Sequence, residues 1–330
     1  MKKFKLAIIG ATGLVGMSVI KVLEEKKLPI ENYSLFATQK SAGKVISILG
    51  KDYVVKELNE NSFDTGFDFA IFAAGGDISK KYAPIAAEHG CIVVDNSSYF
   101  RMHEDVPLVV PEVNFEDVYS NKGIIANPNC STIQAMLPLK ALEDKYRIKR
   151  IVYSTYQAVS DLENIDNSKP LKKFPHPIYN NCLPHIDIFM DDGYTKEELK
   201  MINETRKILH RPDLKITATA VRVPVSNSHS ESINIEFEKD FELEDLLSTL
   251  KNFPNVILLD EPESNLYPMA ITATGHDEVF VGRVRRDNSV NSGINLWVVA
   301  DNIRKGAASN AVQIIEKLIT TSSKEEFHHG

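Results

Sequence analysis

Short apolar runs alternate with glycine turns and helical periods through the first third of the chain. Lys5-Leu6-Ala7-Ile8-Ile9 reads as a buried strand, and Gly10-Ala11-Thr12-Gly13-Leu14-Val15-Gly16 as a glycine turn. Met17 to Leu23 then has a helical pattern. Tyr33 to Ala37 is a second strand, and Phe67 to Ala74 a further one running into Gly75-Gly76. Ile78 to His89 predicts a short helix and Cys91 to Asp95 another strand. Gly123 to Ala126 closes the series, before Asn127-Pro128-Asn129-Cys130-Ser131-Thr132 and a helix from Ile133 to Tyr146. This alternation predicts an α/β fold with an N-terminal Rossmann-like, doubly wound parallel sheet.

Beyond Tyr146 the pattern changes. Lys149 to Ser160, Ile216 to Val225, Glu231 to Phe237, Val256 to Leu259, Val279 to Val284 and Gly293 to Ala300 are strand-like, with little helix between them. They predict an α+β second domain with a mixed or antiparallel sheet. Thr195-Lys196-Glu197-Glu198 carries a capping signature for a helix through Leu209. A final helix, Gly306 to Thr320, is expected to pack back on the first domain. The division is therefore 1–127 with the C-terminal helix 303–330, against 128–302.

Candidate chemistry gathers at the strand ends. Strand, glycine turn and helix form the context in which backbone approaches a pyrophosphate at a helix N-terminus. After the second strand, Thr38, Lys40 and Ser41 stand where an NAD-specific fold places an acid for the ribose hydroxyls. Hydroxyls and a cation suit a 2′-phosphate and favour NADP, although an exposed polar loop has the same composition. Gly75, Gly76, Asn96, Ser97 and Ser98 fall at carboxyl ends of strands, where such sheets bind ligands. Arg101 follows them, either as an anion site or as an ordinary surface cation. Cys130 falls at a strand-to-helix turn, where free N–H groups and the helix dipole favour a thiolate and hold an oxyanion. An inert buried thiol remains the alternative. Cys91 reads as core; Cys182 reads as core or interface. Glu204 and Lys207 share a helix face, the usual arrangement of an exposed ion pair. His229 reads as a polar loop residue between two strands, preceded by Arg222 at a strand end. His185, Asp187, Asp191 and Asp192 cluster without a common ligand spacing, so no metal is expected.

Composition narrows the class. The chain has 330 residues, 43% hydrophobic and 25% charged, which fits a globular protein of two domains. A net charge of -7 argues against nucleic acid or a membrane surface as partner. Three cysteines without metal or disulfide spacing point to a reducing, cytoplasmic compartment. No leader-like segment and no apolar run of membrane-spanning length is read, and the terminal Phe327-His328-His329-Gly330 is set aside.

Several stretches together resemble aspartate-β-semialdehyde dehydrogenases over essentially the whole chain. They are the glycine turn Gly10 to Gly16, Phe100-Arg101-Met102, Val109 to Asn114, Asn127 to Thr132 and Thr155 to Ser160. Pro184-His185-Ile186-Asp187, Glu204 to Leu209, Val221 to Val225, His229-Ser230-Glu231 and Asn295 to Val299 continue the series. The resemblance implies NADP-dependent reductive dephosphorylation of L-aspartyl-4-phosphate to L-aspartate-4-semialdehyde, reversibly, on the route to lysine, threonine, methionine and diaminopimelate. It implies Cys130 as the nucleophile of a thioacyl enzyme, His229 as general acid/base and Gln157 as the residue orienting the acyl group. Arg222 would hold the substrate carboxylate, Glu204 its amino group, and Arg101 with Lys207 the phosphate, with Asn129 also at the substrate. Gly10, Thr12, Gly13, Leu14, Val15, Thr38, Lys40, Ser41, Gly75, Gly76, Ser160 and Asn302 would hold the cofactor. It further implies a homodimer or homotetramer formed through the second domain. One departure is expected to matter: the family's glycine-rich loop after Ser160 is replaced by Asp161-Leu162-Glu163-Asn164, which would reduce turnover. A second is Lys40, where many members carry Arg, which would weaken NADP binding. The alternatives are a related reductase acting on N-acetylglutamyl phosphate, and a catalytically impaired paralogue.

Overall fold

The computed structural model describes residues 2–160 and 174–328. The missing glycine-rich loop lies at 161–173 and so falls outside the described residues. Two compact units emerge, 1–129 with 307–330, and 130–306.

The first unit is built on strands β1 (Phe4–Ile9), β2 (Ile30–Ala37), β3 (Val45–Ile48), β4 (Lys51–Val54), β5 (Lys56–Glu57), β6 (Phe69–Phe72), β7 (Ile92–Asp95) and β8 (Ile124–Ala126). Its main sheet runs β5-β2-β1-β6-β7-β8, parallel throughout. Parallel strands covered on both faces need uninterrupted apolar sequence, and Ala70, Ile71 and Phe72 have almost no exposed surface. Helices α1 (Leu14–Lys26) and α2 (Gly76–Glu88) make the crossovers. α2 starts two residues earlier than its apolar period indicates, because Gly75 and Gly76 form its N-terminus. The order of strands reverses between β1 and β6, which makes their carboxyl ends the switch point where such sheets bind ligands.

The second unit opens with α3 (Cys130–Tyr146), buried along almost its whole length from Ser131 to Leu142. Its sheet comprises β9 (Ile148–Gln157), β10 (Lys215–Arg222), β11 (His229–Phe237), β12 (Val256–Leu258), β13 (Val279–Arg286) and β14 (Gly293–Ala300), in the order β10-β9-β11-β14-β13-β12. The outer pairs β10-β9 and β12-β13 are parallel and the inner pairs antiparallel, so the sheet is mixed. Along β9, Ile151, Tyr153, Thr155 and Gln157 are buried. Along β11, His229, Glu231, Ile233, Ile235 and Phe237 are buried at the same period of two. Helix α4 (Lys196–Ile208) has the expected capping box: Thr195 accepts from Glu198 N–H and Glu198 from Thr195 N–H. Helices α5 (Leu243–Lys251) and α6 (Ala270–Ala273) complete this unit.

The chain then returns to the first unit. A π-helical turn, Arg304–Ala308, leads into α7 (Ser309–His328), which starts later and runs further than its apolar period predicts. Val312, Ile315 and Ile319 of α7 join Leu6, Ile8, Leu23 and Leu35 in one core. Each such buried side chain contributes roughly 1.5–3 kcal/mol. No helix among the described residues is long and apolar enough to cross a membrane.

Candidate active site

The switch point of the first unit is shaped for a dinucleotide. Gly10 closes β1 with φ +83°, and a Cβ there would lie 2.5 Å from the carbonyl oxygen of Ala73. Only glycine permits that turn. Gly13 donates to Gly10 O and caps α1 without a side chain, and no acid occupies the first turn of that helix. Its N–H groups are therefore open to an anion. A cleft of about 390 Å³ is lined by Gly10, Thr12, Gly13, Thr38, Gln39, Ala73, Ala74, Ile78 and Tyr82 among others. Leu14 and Val15 begin α1, Gly75 and Gly76 begin α2, and Lys40 and Ser41 lie on an exposed turn after β2. These residues fit a nicotinamide dinucleotide. The sequence shows no acid directly after β2, yet the cleft wall includes Glu57. It arrives through β5, whose pairing with β2 sets Glu57 opposite Ala37. A two-residue strand leaves too little periodicity to be read.

Arg101 is also in this unit and is buried. Its Nε donates to Asn127 O at 3.0 Å and its Nη2 to Asn96 O at 2.9 Å. Asn127 itself donates to Asn96 Oδ1 and accepts from Asn310, which fixes the backbone leading to Asn129.

The second unit holds Cys130, His229, Arg222 and Gln157, with Arg222 electrostatically coupled to both Cys130 and His229. Cys130 is the first residue of α3 and is half-buried. His229 is not on a loop. It is the first residue of β11, paired with Ala300 and only 2% exposed. The turn ends one residue earlier, at Ser228, whose φ is +70° and whose N–H donates to Asn302 Oδ1. Polar sequence around a buried site imitates a loop, hence the misplacement. Backbone N–H of Ala158 donates to His229 Nδ1 at 3.0 Å, so the neutral ring carries its hydrogen on Nε2. Burial, then the charge of Arg222, pushes the imidazole pKa down to about 3 against a weaker pull from Glu197. His229 is thus neutral at physiological pH.

Arg222 ends β10, donates to Ala158 O at 2.8 Å and has its guanidinium 6.0 Å from the Phe174 ring. Burial lowers its pKa, while Cys130 and Glu197 pull it up. Gln157 ends β9, two residues from Thr155 and in contact with Glu197. Glu204 and Lys207 lie one turn apart on α4, the former almost fully buried and so not an ordinary exposed pair. Ser160 and Asn302 hydrogen-bond each other at 2.9 Å in this unit. Cys91 is core, its thiol pushed up to about 12 by burial and then by Asp68, whereas Cys182 is exposed.

Three residues beside these groups are given no role by the sequence. Glu197 reads only as part of a capping box. Glu231 is fully buried, neither of its carboxylate oxygens has a hydrogen-bond partner among the described residues, and burial, then Glu197, raises its pKa well above its ordinary value. Gly306 lies so close to Cys130 that a Cβ there would stand 2.7 Å from the Cys130 Cβ.

Comparison with known proteins agrees with this geometry. Residues 5–121 match the NAD-binding domain of semialdehyde dehydrogenases, and residues 139–305 match their dimerisation domain. An aspartate-semialdehyde dehydrogenase of Aquifex aeolicus is 54% identical over 334 residues, covering 96% of this chain and 98% of its own. One of Bacillus subtilis is 45% identical over 335 residues, covering 95% and 96%. Among solved structures, aspartate semialdehyde dehydrogenase II of Vibrio cholerae, complexed with ASA, has a TM-score of 0.92 at 42% identity, covering 97% of this chain and 99% of its own. A Candida albicans enzyme with NADP has a TM-score of 0.78 at 26% identity, covering 96% and 98%. With both domains matched and this identity sustained from end to end, the chain belongs to the aspartate-semialdehyde dehydrogenase family.

Proposed function

We propose that the chain interconverts L-aspartyl-4-phosphate and L-aspartate-4-semialdehyde with NADP and phosphate, through a thioester on Cys130. One observation carries this reading: a cysteine opening a buried helix in the same unit as a buried, neutral histidine and a half-buried arginine that senses the thiol. In the oxidative direction the Cys130 thiolate adds to the aldehyde carbon. The N–H groups at the start of α3 and the Nε2–H of His229 stabilise the oxygen that becomes negative. The tautomer held by Ala158 supports this donor part of the acid/base role. The bound dinucleotide supplies the hydride acceptor. Phosphate then takes the acyl group from sulfur. A thioester is a better hydride acceptor than a carboxylate, so the covalent step divides a hard reduction into two.

Arg222 is assigned the substrate carboxylate, as a planar fork suited to bidentate pairing. Glu204 is assigned the substrate ammonium, Lys207 and Arg101 the phosphate, and Asn129 the backbone position beside the nucleophile. Gly10, Thr12, Gly13, Leu14, Val15, Thr38, Lys40, Ser41, Gly75, Gly76, Ser160 and Asn302 are assigned to the cofactor. NADP is preferred to NAD because Lys40 follows β2, although Glu57 opposes a 2′-phosphate. The chain would act as a homo-oligomer through 139–305, the part resembling a dimerisation domain, and as a dimer before a tetramer. Three free cysteines favour the cytoplasm. An impaired paralogue and an N-acetylglutamyl-phosphate reductase are not favoured, since Cys130, His229, Gln157 and Arg222 are all present and the burial of Glu204 suits a cationic amine.

The test is nicotinamide reduction with aspartate semialdehyde, phosphate and NADP, beside Cys130→Ala. Phosphate-dependent turnover that vanishes in the variant is expected. Turnover that survives it, or that ignores phosphate, would overturn the reading.

A further inference from the structure

Asp301 has no part in the chemistry above, yet its carboxylate gathers segments that flank the reactive groups. It directly follows Ala300, the residue paired with His229 across β11 and β14, and is 2% exposed. Its Oδ1 accepts from the N–H groups of Ile303 and Arg304, both at 2.9 Å. That half of the carboxylate caps the π-helical turn, which the oxygen of a Ser, Thr or Asn would do as well. Its Oδ2 accepts from Asn227 Nδ2 and from Gly275 N–H, again both at 2.9 Å. These donors belong to two turns remote in sequence, one just before β11 and one just after α6. The Asp301 carbonyl oxygen in turn accepts from the N–H of Gly306, which stands against Cys130.

A carboxylate accepts at both oxygens, whereas an Asn in its place would set an NH₂ against the donors of Asn227 and Gly275. Capping therefore accounts for one oxygen of Asp301 and leaves the other for the long-range tie. That tie converges on a strained point of the backbone. Ser228, between Asn227 and His229, has φ +70°, in the left-handed region. A non-glycine residue persists there where its surroundings over-determine it, and such residues gather at active sites. Here the surroundings are visible. Ser228 N–H donates to Asn302 Oδ1 at 2.8 Å, and its Oγ is hydrogen-bonded to Oγ1 of Thr274, the neighbour of Gly275, at 2.9 Å. With the Asn227 side chain on Asp301, the turn is held at three points directly before His229. We propose that Asp301 is a positioning residue that sets this turn, and with it the place at which β11 presents the His229 imidazole, by gathering Asn227 and Gly275 on one carboxylate oxygen. The proposal rests on the reading of His229 as the acid/base of the reaction.

A double-mutant cycle on the full-length enzyme tests it, with kcat, KM for each substrate, NADP binding and Tm measured for Asp301→Asn, His229→Asn and the pair. The amide keeps one oxygen for the cap, so Asp301→Asn removes the long-range tie alone. The expected result is a kcat about tenfold lower, with NADP binding and the KM for the semialdehyde kept within about twofold. Where His229 is already Asn, the same substitution should lower the residual turnover by less than about twofold. A residue that only holds the fold would lower turnover by the same factor in both backgrounds, and that result would overturn the proposal. Unchanged kcat in Asp301→Asn would overturn it too. Parental kcat in His229→Asn would remove the reading of His229 itself, and the proposal with it. Should Asp301→Asn fail to fold, Asn227→Ala removes the half-buried donor of the same tie. Its loss must likewise vanish in the His229→Asn background, and persistence there overturns the proposal.

Discussion

Gly306→Ala adds one methyl group against the nucleophile. The new carbon would stand 2.7 Å from the Cβ and 3.2 Å from the Cα of Cys130. Carbon atoms at rest in contact are about 3.5–4.0 Å apart, so the two segments must separate by roughly 1 Å. Neither is free to yield cheaply. Cys130 starts a helix that is buried from Ser131 to Leu139, and the Gly306 N–H is tied to Asp301 O at 3.0 Å in the π-helical turn. Overpacking of this kind costs about 1–3 kcal/mol, which leaves a folded protein with a lowered Tm. Catalysis suffers more, because a displacement of about 1 Å at a reacting atom costs on the order of 100-fold. The expected result is a kcat reduced by about 10- to 100-fold, with NADP binding kept. Steady-state kinetics beside calorimetry would measure both. A folded Gly306→Ala enzyme with parental kcat would refute the reasoning, since the crowded contact would then have no hold on the sulfur.

Three further outcomes follow from the charges. The His229 pKa lies near 3 in the native state, below its ordinary 6.5, so the unfolded chain binds a proton that the folded chain refuses. Stability should therefore fall as pH drops from 6.5 toward 3, by up to about 1.4 kcal/mol per unit; His229→Asn should flatten that limb in urea unfolding at several pH values, and an unchanged slope would contradict it. Glu231 has the opposite sign: its raised pKa keeps it protonated when the unfolded carboxyl ionises, so stability is lost as pH rises above about 4.5. Glu231→Gln should raise Tm more at pH 8 than at pH 5, and an equal change at both would count against it. Lys40→Glu should raise KM for NADP by about tenfold or more and leave KM for NAD nearly unchanged, measured in the same assay; a parallel change in both would remove Lys40 from the 2′-phosphate.

What the sequence discloses and what it hides divide along one physical line. The glycine turn at Gly10, the parallel order of the first sheet and the mixed second sheet are legible because each depends on local periodicity or a backbone demand close in sequence. Cys130 is legible for the same reason, as a thiol next to a helix start. His229 is placed wrongly because the strand is read as beginning at Glu231, after the polar run Ser226 to Ser230, whereas β11 begins two residues earlier with His229 buried. Glu57, Glu197 and Gly306 are not legible at all. Each meets a partner far along the chain: Glu57 beside Ala37, Glu197 against Gln157, Gly306 against Cys130. No residue type at these positions is unusual for its surroundings; an acid in a capping box and a glycine before a helix have sufficient local reasons to be there. The function of such residues lies in a distance, and a distance exists only once the sheet has set β9 beside β11 and the chain has returned to the start of α3. That is why candidate reactive groups can be named from a sequence while the contacts around them must be read from the fold.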